Sequence, residues 1–326
     1  MKNIILNGTS EKISAVSLGT DCFGSWLDDE SSIALLDEYC ELGGNVLDTA
    51  SLYGGQDEHL SEKLLGRWMK DKKNRDSIFI STKGAHPRRG QMLISRLSDM
   101  EIKSDMDKSL KNLGVDYVDI YWLHRDNERL PVEPIMNTLA DLVKSGKTRY
   151  IGMSNWTHKR IDEANQYAKK NNLPMIISSQ IQYSVAKALT ENNDPTLVLM
   201  DDDEYNYFTD NDLSVFAFAS QAKGFFSQLD AGGIENLSEK SRGRYLSEEN
   251  IKTYDRIKEL SERKGISVTQ AVIAVLVNDM NFQTIPIIGA RKIEHLRQSL
   301  SGADISLSQA DCDAVLMRGN PKKEKI

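Results

Sequence analysis

The chain alternates between two spacings of hydrophobic residues. Short apolar, β-branched runs fall at 16–20, 46–50, 78–83, 117–124, 150–154, 175–180, 215–219 and 284–289. Most are apolar nearly throughout, as parallel strands buried on both faces are. Between them, apolar residues recur every three to four positions, the helical period. Ile33, Leu36, Tyr39 and Cys40 mark a helix over 31–42, and Leu60, Leu64, Leu65 and Trp68 mark one over 60–69. Ser98 and Glu101 have the spacing of a capping box, opening a helix with Ile102, Met106, Leu110 and Leu113. A helix over 132–145 carries Ile135, Leu139, Leu142 and Val143 and stops at Gly146. Further helices are expected over 159–170, 250–264, 269–277, 294–301 and 308–317. This repeated strand–helix alternation predicts an α/β fold, a (β/α)8 TIM barrel over residues 1–326 as one domain, with extra C-terminal helices. An open doubly wound sheet is the other arrangement the pattern allows. Before the first barrel strand, 4–7 and 12–14 flank Asn7-Gly8, an N-terminal β-hairpin signal; in a barrel that hairpin would cap the bottom.

Two long stretches, 84–97 and 221–247, show neither period. Loops of that length in a compact domain are usually site walls. The run Asp201-Asp202-Asp203-Glu204 reads as a solvated helix start, because consecutive helical positions point in different directions.

Composition narrows the function classes. The 326 residues are 40% hydrophobic and 27% charged, with a net charge of −7. This is ordinary globular composition, and a mild acidic excess argues against nucleic acid as a partner. No apolar run reaches the roughly 18 residues of a membrane span, and the N-terminus lacks a signal-peptide core. Cys22, Cys40 and Cys312 are too scattered for a zinc knuckle or a redox pair. A soluble protein of the reducing cytoplasm is the expectation.

Several chemistries are missing. No G-x-G-x-x-G follows the first strand, no phosphate loop or nucleophile elbow occurs, and the five histidines have no metal spacing. What stands out is the set of strand ends, where barrel enzymes hold their sites. Asp48, Lys83 and His124 end the second, third and fourth strands. Burying three such groups without partners would cost several kcal/mol, roughly, so Asp48 and Lys83 are expected to pair. Tyr53 follows Asp48 by five residues. An ammonium beside a phenol lowers its pKa, which would suit Tyr53 to proton donation, with His124 orienting a carbonyl oxygen. A purely structural salt bridge with a tyrosine packed nearby accounts for the same spacing.

The chain also resembles the aldo-keto reductase superfamily along nearly its whole length. The matching stretches are Leu-Asp-Thr-Ala-Ser-Leu-Tyr-Gly (47–54), Ser-Glu-Lys-Leu-Leu-Gly-Arg-Trp (61–68), Ile-Ser-Thr-Lys (80–83), Ser-Leu-Lys-Asn-Leu-Gly-Val-Asp-Tyr-Val-Asp-Ile-Tyr-Trp-Leu-His-Arg-Asp (109–126) and Gly-Lys-Thr-Arg-Tyr-Ile-Gly-Met-Ser-Asn-Trp (146–156). The resemblance implies a (β/α)8 barrel and an NADP(H)-dependent carbonyl reductase, with NAD(H) the other candidate cofactor. Its tetrad would be Asp48, Tyr53, Lys83 and His124, with Tyr53 the general acid. By the same resemblance Ser154, Asn155 and Gln180 would contact the nicotinamide carboxamide, and Phe218 would stack on its ring. Ser220, Gln221 and Lys223 would lie near the pyrophosphate, and Gly289, Arg291 and Gln298 near the adenosine. Gln298-Ser299 stands where the family commonly has Glu-Asn. Thr20 and Asp21 follow the first strand; Asp21 would face the substrate or a ribose hydroxyl, with Trp26 nearby. That acidic residue and the Lys-rich tail (Arg318, Lys322, Lys323, Lys325) favour a small polar carbonyl such as a sugar. Two other readings are a catalytically idle regulatory barrel of the same family and a metal-dependent barrel hydrolase or isomerase; a lysine at 83 and the lack of a second histidine near His124 count against the latter.

Overall fold

The computed structural model describes residues 1–54, 59–88 and 90–317. The basic tail residues therefore lie outside the described residues. An antiparallel hairpin, β1 (Asn3–Ile5) and β2 (Lys12–Ser14), comes first. Gly8 turns it with φ 71°. The side chain of Gln283, just before the last strand, bonds Asn7 N and Ile5 O, which fixes the hairpin at that strand's N-terminal end.

Eight parallel strands follow: β3 (Ser17–Gly19), β4 (Val46–Asp48), β5 (Phe79–Gly84), β6 (Val118–Leu123), β7 (Thr148–Ser154), β8 (Ile176–Gln182), β9 (Ser214–Phe218) and β10 (Thr284–Ile288). Their order, β10-β3-β4-β5-β6-β7-β8-β9, closes into a barrel, as the alternation predicted. The helices are α1 (Asp29–Glu41), α2 (Leu60–Lys72), α3 (Asp99–Leu113), α4 (Val132–Lys144), α5 (His158–Lys170), α6 (Asp202–Asp210), α7 (Phe225–Gly232), α8 (Glu239–Tyr245), α9 (Glu248–Lys264), α10 (Val268–Asn278), α11 (Ile293–Gly302) and α12 (Gln309–Leu316). By contacts the chain groups into two compact units. One holds Ser17–Gln180 with Arg291–Ile293, the other Met1–Val16, Ile181–Ala290 and the chain from Glu294.

In the first unit the strand register does the positioning. Asp48 lies opposite Ser81, Lys83 opposite Trp122 and Ser154 opposite Gln180. Consecutive strands thus bring their polar terminal residues to one end. The core here depends on close approach: Trp122 is fully buried, and a Cβ built on Gly152 of the next strand would stand 2.3 Å from its ring. The expected helix starts are present. Ser98 accepts from Glu101 N, though the Glu101 carboxylate accepts from the Ser98 hydroxyl rather than from the backbone. Asp201 caps α6 in the same way, so the acidic run is a helix start, but Glu204 is buried rather than solvated.

One expectation is corrected in the second unit. Residues 221–247 are not irregular: they contain α7 and α8. These helices have eight and seven residues, and α7 lies between Gly224 and Gly233, both at positive φ. So short a helix shows barely two turns of periodicity, and α8 is polar apart from Tyr245. Among the described residues, the stretch 84–97 has no helix or strand beyond Gly84, as expected.

Candidate active site

Asp48, Lys83 and the loop bearing Tyr53 meet at the C-terminal ends of β4 and β5. Lys83 Nζ donates to Asp48 Oδ2 at 2.6 Å, to Thr49 O at 2.9 Å and to Tyr53 Oη at 3.1 Å. Asp48 and Lys83 are 2% and 1% exposed, and Tyr53 is half-buried. The other Asp48 oxygen accepts from Ser81 Oγ at 2.9 Å and Gln180 Nε2 at 3.0 Å. Each carboxylate oxygen is therefore satisfied, the condition for tolerating a buried charge. Thr20 is wholly buried and donates its hydroxyl to Asp48 O at 3.0 Å, within hydrogen-bond distance of Ser61 Oγ. His124 follows β6, its ring centroid 6.3 Å from that of Tyr53 at 77°. The structure brings these four residues together at the strand ends.

Electrostatics qualify one expectation. Burial pushes the Tyr53 phenol up to about 12, and the Lys83 ammonium opposes this without reversing it. A phenol pKa below the ordinary value is therefore not what this pocket produces: desolvation outweighs the neighbouring charge. Burial works against the Lys83 charge too, but Asp48 and then Tyr53 hold its pKa above the ordinary lysine value. Burial, then the Lys83 charge, His86 and Arg125, depress the His124 pKa well below 6.5, so its imidazole is neutral at physiological pH. The site can hold a proton on a phenol beside a permanent buried cation and an uncharged imidazole.

Comparison with known proteins bears directly on this arrangement. The aldo/keto reductase family model matches residues 15–316. The chain belongs to the aldo/keto reductase family. It is 26% identical to norsolorinic acid reductase B of Aspergillus parasiticus, covering 94% of this chain and 81% of that protein. It is 29% identical to the aryl-alcohol dehydrogenase [NADP(+)] of Phanerodontia chrysosporium, covering 92% and 81%. A thermostable aldo-keto reductase solved with the inhibitor epalrestat superposes with a TM-score of 0.71 at 27% identity, covering 97% of this chain and 99% of that one. These relatives are reductases and dehydrogenases, and this chain too is an oxidoreductase.

In this aldo/keto reductase the remaining expected residues fall as follows. Ser154, Asn155 and Gln180 are buried at the ends of β7 and β8. Asn155 has φ 57°, and its side chain donates to Ser154 Oγ and His124 O. Its amide N also bonds Gln180 O. Gln180 reaches Asp48, a role the sequence did not suggest. Asp21 and Trp26 are exposed, Trp26 at 72%. Arg291 is exposed, close enough to Cys22 for its charge to act on that thiol. In the second unit, Phe218 ends β9 half-buried, and Ser220 donates to Ile287 O at 2.8 Å. Gln221 Nε2 donates to Ser299 Oγ, and exposed Gln298 to Ser267 Oγ. Lys223 has φ 56°, and Gly289 is exposed. One expectation is corrected here: a second histidine does lie near His124, since the His86 ring is 4.7 Å from it, although no group of three or more metal-binding side chains occurs among the described residues. Only the place of His86 in the long stretch 84–97 pointed to it.

Proposed function

We propose that this chain is an NADP(H)-dependent enzyme that reduces an aldehyde or ketone to an alcohol, with Tyr53 as general acid. The observation that carries the reading is the 3.1 Å hydrogen bond from Lys83 Nζ to Tyr53 Oη, made by an ammonium locked on buried Asp48. A phenol at about 12 keeps its proton through the neutral range and has one to give. As charge builds on the carbonyl oxygen, Tyr53 transfers that proton, and Lys83 stabilises the phenolate left behind. Asp48 keeps Lys83 charged, and Ser81 and Gln180 keep Asp48 in place. Neutral His124 orients the oxygen by a hydrogen bond.

A nicotinamide dinucleotide would supply the hydride. The residues present fit such a group. Ser154, Asn155 and Gln180 gather a hydroxyl and two amides at neighbouring strand ends. A side chain at Gly289 would meet open space. Ala219, Ala222 and Lys223 hold φ of 51°, 49° and 56°. Such conformations cost about 1–3 kcal/mol each and tend to persist at ligand clamps. Ser154, Asn155 and Gln180 would hold the carboxamide and Phe218 the ring. Ser220, Gln221 and Lys223 would lie along the pyrophosphate, with Arg291 at a 2′-phosphate. Free thiols at Cys22, Cys40 and Cys312 accord with a cytoplasmic protein.

The test follows cofactor absorbance with NADPH and NADH against sugars, simple aldehydes, ketones and aryl carbonyls. Carbonyl-dependent oxidation of NADPH, faster than that of NADH, is expected. No oxidation with any carbonyl, and no reduction of NADP+ by the matching alcohols, would refute the reading.

A further inference from the structure

His86 lies in the long segment after β5, outside the four residues that the proposed chemistry uses. It is unusually well anchored. The residue before it, Ala85, has φ 60°, a left-handed conformation that alanine rarely adopts. Ala85 N donates to Asp105 Oδ2 at 2.9 Å. Asp105 also takes a bidentate bond from Arg96, 2.7 Å on each oxygen, and Arg96 Nη1 donates to His86 O at 3.1 Å. The His86 ring is fixed by Nδ1 donating to Pro87 O at 2.6 Å. A strained backbone residue, a partly buried ion pair and a tied ring thus converge on one side chain. What that side chain meets is His124, at 4.7 Å between centroids and 70° between planes. Strain that the surroundings over-determine is a sign of a placed functional group.

We propose that His86 is a positioning residue for the reduction: its edge-on ring fixes the angle at which His124 presents to the carbonyl oxygen. This rests on the reading of His124 as the group that orients that oxygen. His86 also shields His124 from water. The charged or titratable groups facing His124 are Lys83 from β5, Arg125 from its own loop, Tyr53 from the loop after β4, and His86 itself. Removing the His86 ring takes away both shielding and a neighbour that opposes a positive charge. Both losses move His124 toward easier protonation.

The test compares wild type with His86→Ala and His86→Phe, the latter keeping a ring at the same place. Steady-state kinetics, NADPH binding and two-dimensional NMR titration of the histidine rings are measured on each. A misplaced orienting group of about 1 Å can cost on the order of 100-fold, so His86→Ala is expected to lower kcat by about 10- to 100-fold. Its NADPH dissociation constant should match wild type, and His86→Phe should recover most of kcat. In His86→Ala the His124 titration should move up toward 6.5, whereas in His86→Phe it should stay low. If His86→Ala does not fold, His86→Leu replaces it. A His86→Ala protein with wild-type kcat and an unmoved His124 titration overturns the proposal. If wild type reduces no carbonyl at all, it is the functional reading that fails. The positioning claim then falls with it, and where wild type does reduce carbonyls, an unmoved His124 titration together with wild-type kcat in His86→Ala overturns the positioning claim alone.

Discussion

Lys83 donates three hydrogen bonds from a position that water does not reach: to a carboxylate, a backbone carbonyl and a phenol. Removing it strands Asp48 with only Ser81 and Gln180. Breaking a buried pair in this way typically costs about 3–5 kcal/mol, so Lys83→Met should lose stability of that order in denaturant unfolding. Lys83→Met combined with Asp48→Asn should lose less than Lys83→Met alone, because no unpaired charge remains. Equal loss in the single and double variants would contradict the pairing. His124 gives a pH dependence with a definite sign. Its folded pKa lies well below 6.5, so below pH 6.5 the unfolded chain binds a proton that the folded chain does not. The stability this neutral ring contributes is present above pH 6.5 and is lost as the pH falls, by at most about 1.4 kcal/mol per unit. His124→Asn should flatten that acid slope in denaturant melts between pH 7 and 5; an unchanged slope would count against a buried neutral ring. The four polar residues were legible in sequence because each ends a strand or follows one closely. The phenol's raised pKa was not, since it depends on how dry the folded site is. Nor was Gln180 as a partner of Asp48, because those residues are 132 positions apart and their strands stand on opposite sides of the closed barrel, so the side chains meet only across its interior.

At the scale of elements, the strands and most helices were readable, and the two short helices α7 and α8 were not. The eight runs coincide with the eight barrel strands, since strands buried on both faces are mostly apolar, although β5 and β8 carry Ser-Thr-Lys and Ser-Ser-Gln. The helix α7 escaped because it is a short segment set between two glycines, and α8 because Tyr245 is its one large apolar residue. The motif containing Gly66 has a packing cause that the sequence did not state. A Cβ on Gly66 of α2 would stand 2.6 Å from Asn112 O and 2.7 Å from Leu113 O of α3. Those are backbone atoms, so they cannot swing aside. Gly66→Ala should destabilise the protein by about 1–3 kcal/mol through overpacking, despite alanine's better helix propensity. Thermal unfolding checks this, and a more stable variant would show that α2 and α3 can separate at little cost.

For the whole molecule, cofactor and stability are linked. A ligand that binds only the folded state stabilises it by about 2.7 kcal/mol at a hundred times its dissociation constant. NADP+ should raise the unfolding midpoint more than NAD+ at equal concentration. Arg291 is exposed and free to meet a phosphate, and a charge-assisted contact is typically worth about 1.5–3 kcal/mol. Arg291→Ala should therefore erase most of the NADP+ advantage while leaving the NAD+ shift alone, and the advantage should shrink in high salt. Equal weakening of both shifts would remove Arg291 from that role.

The most direct measurement is a pre-steady-state comparison of wild type and Tyr53→Phe, each loaded with NADPH and mixed with a carbonyl that wild type reduces. The substitution keeps the ring and deletes the proton. Removing general-acid catalysis should slow reduction by about 10² to 10⁴, with NADPH binding and the fold intact. Reduction by Tyr53→Phe at near the wild-type rate would contradict Tyr53 as the proton donor and, with it, the catalytic role assigned to the Asp48–Lys83 pair.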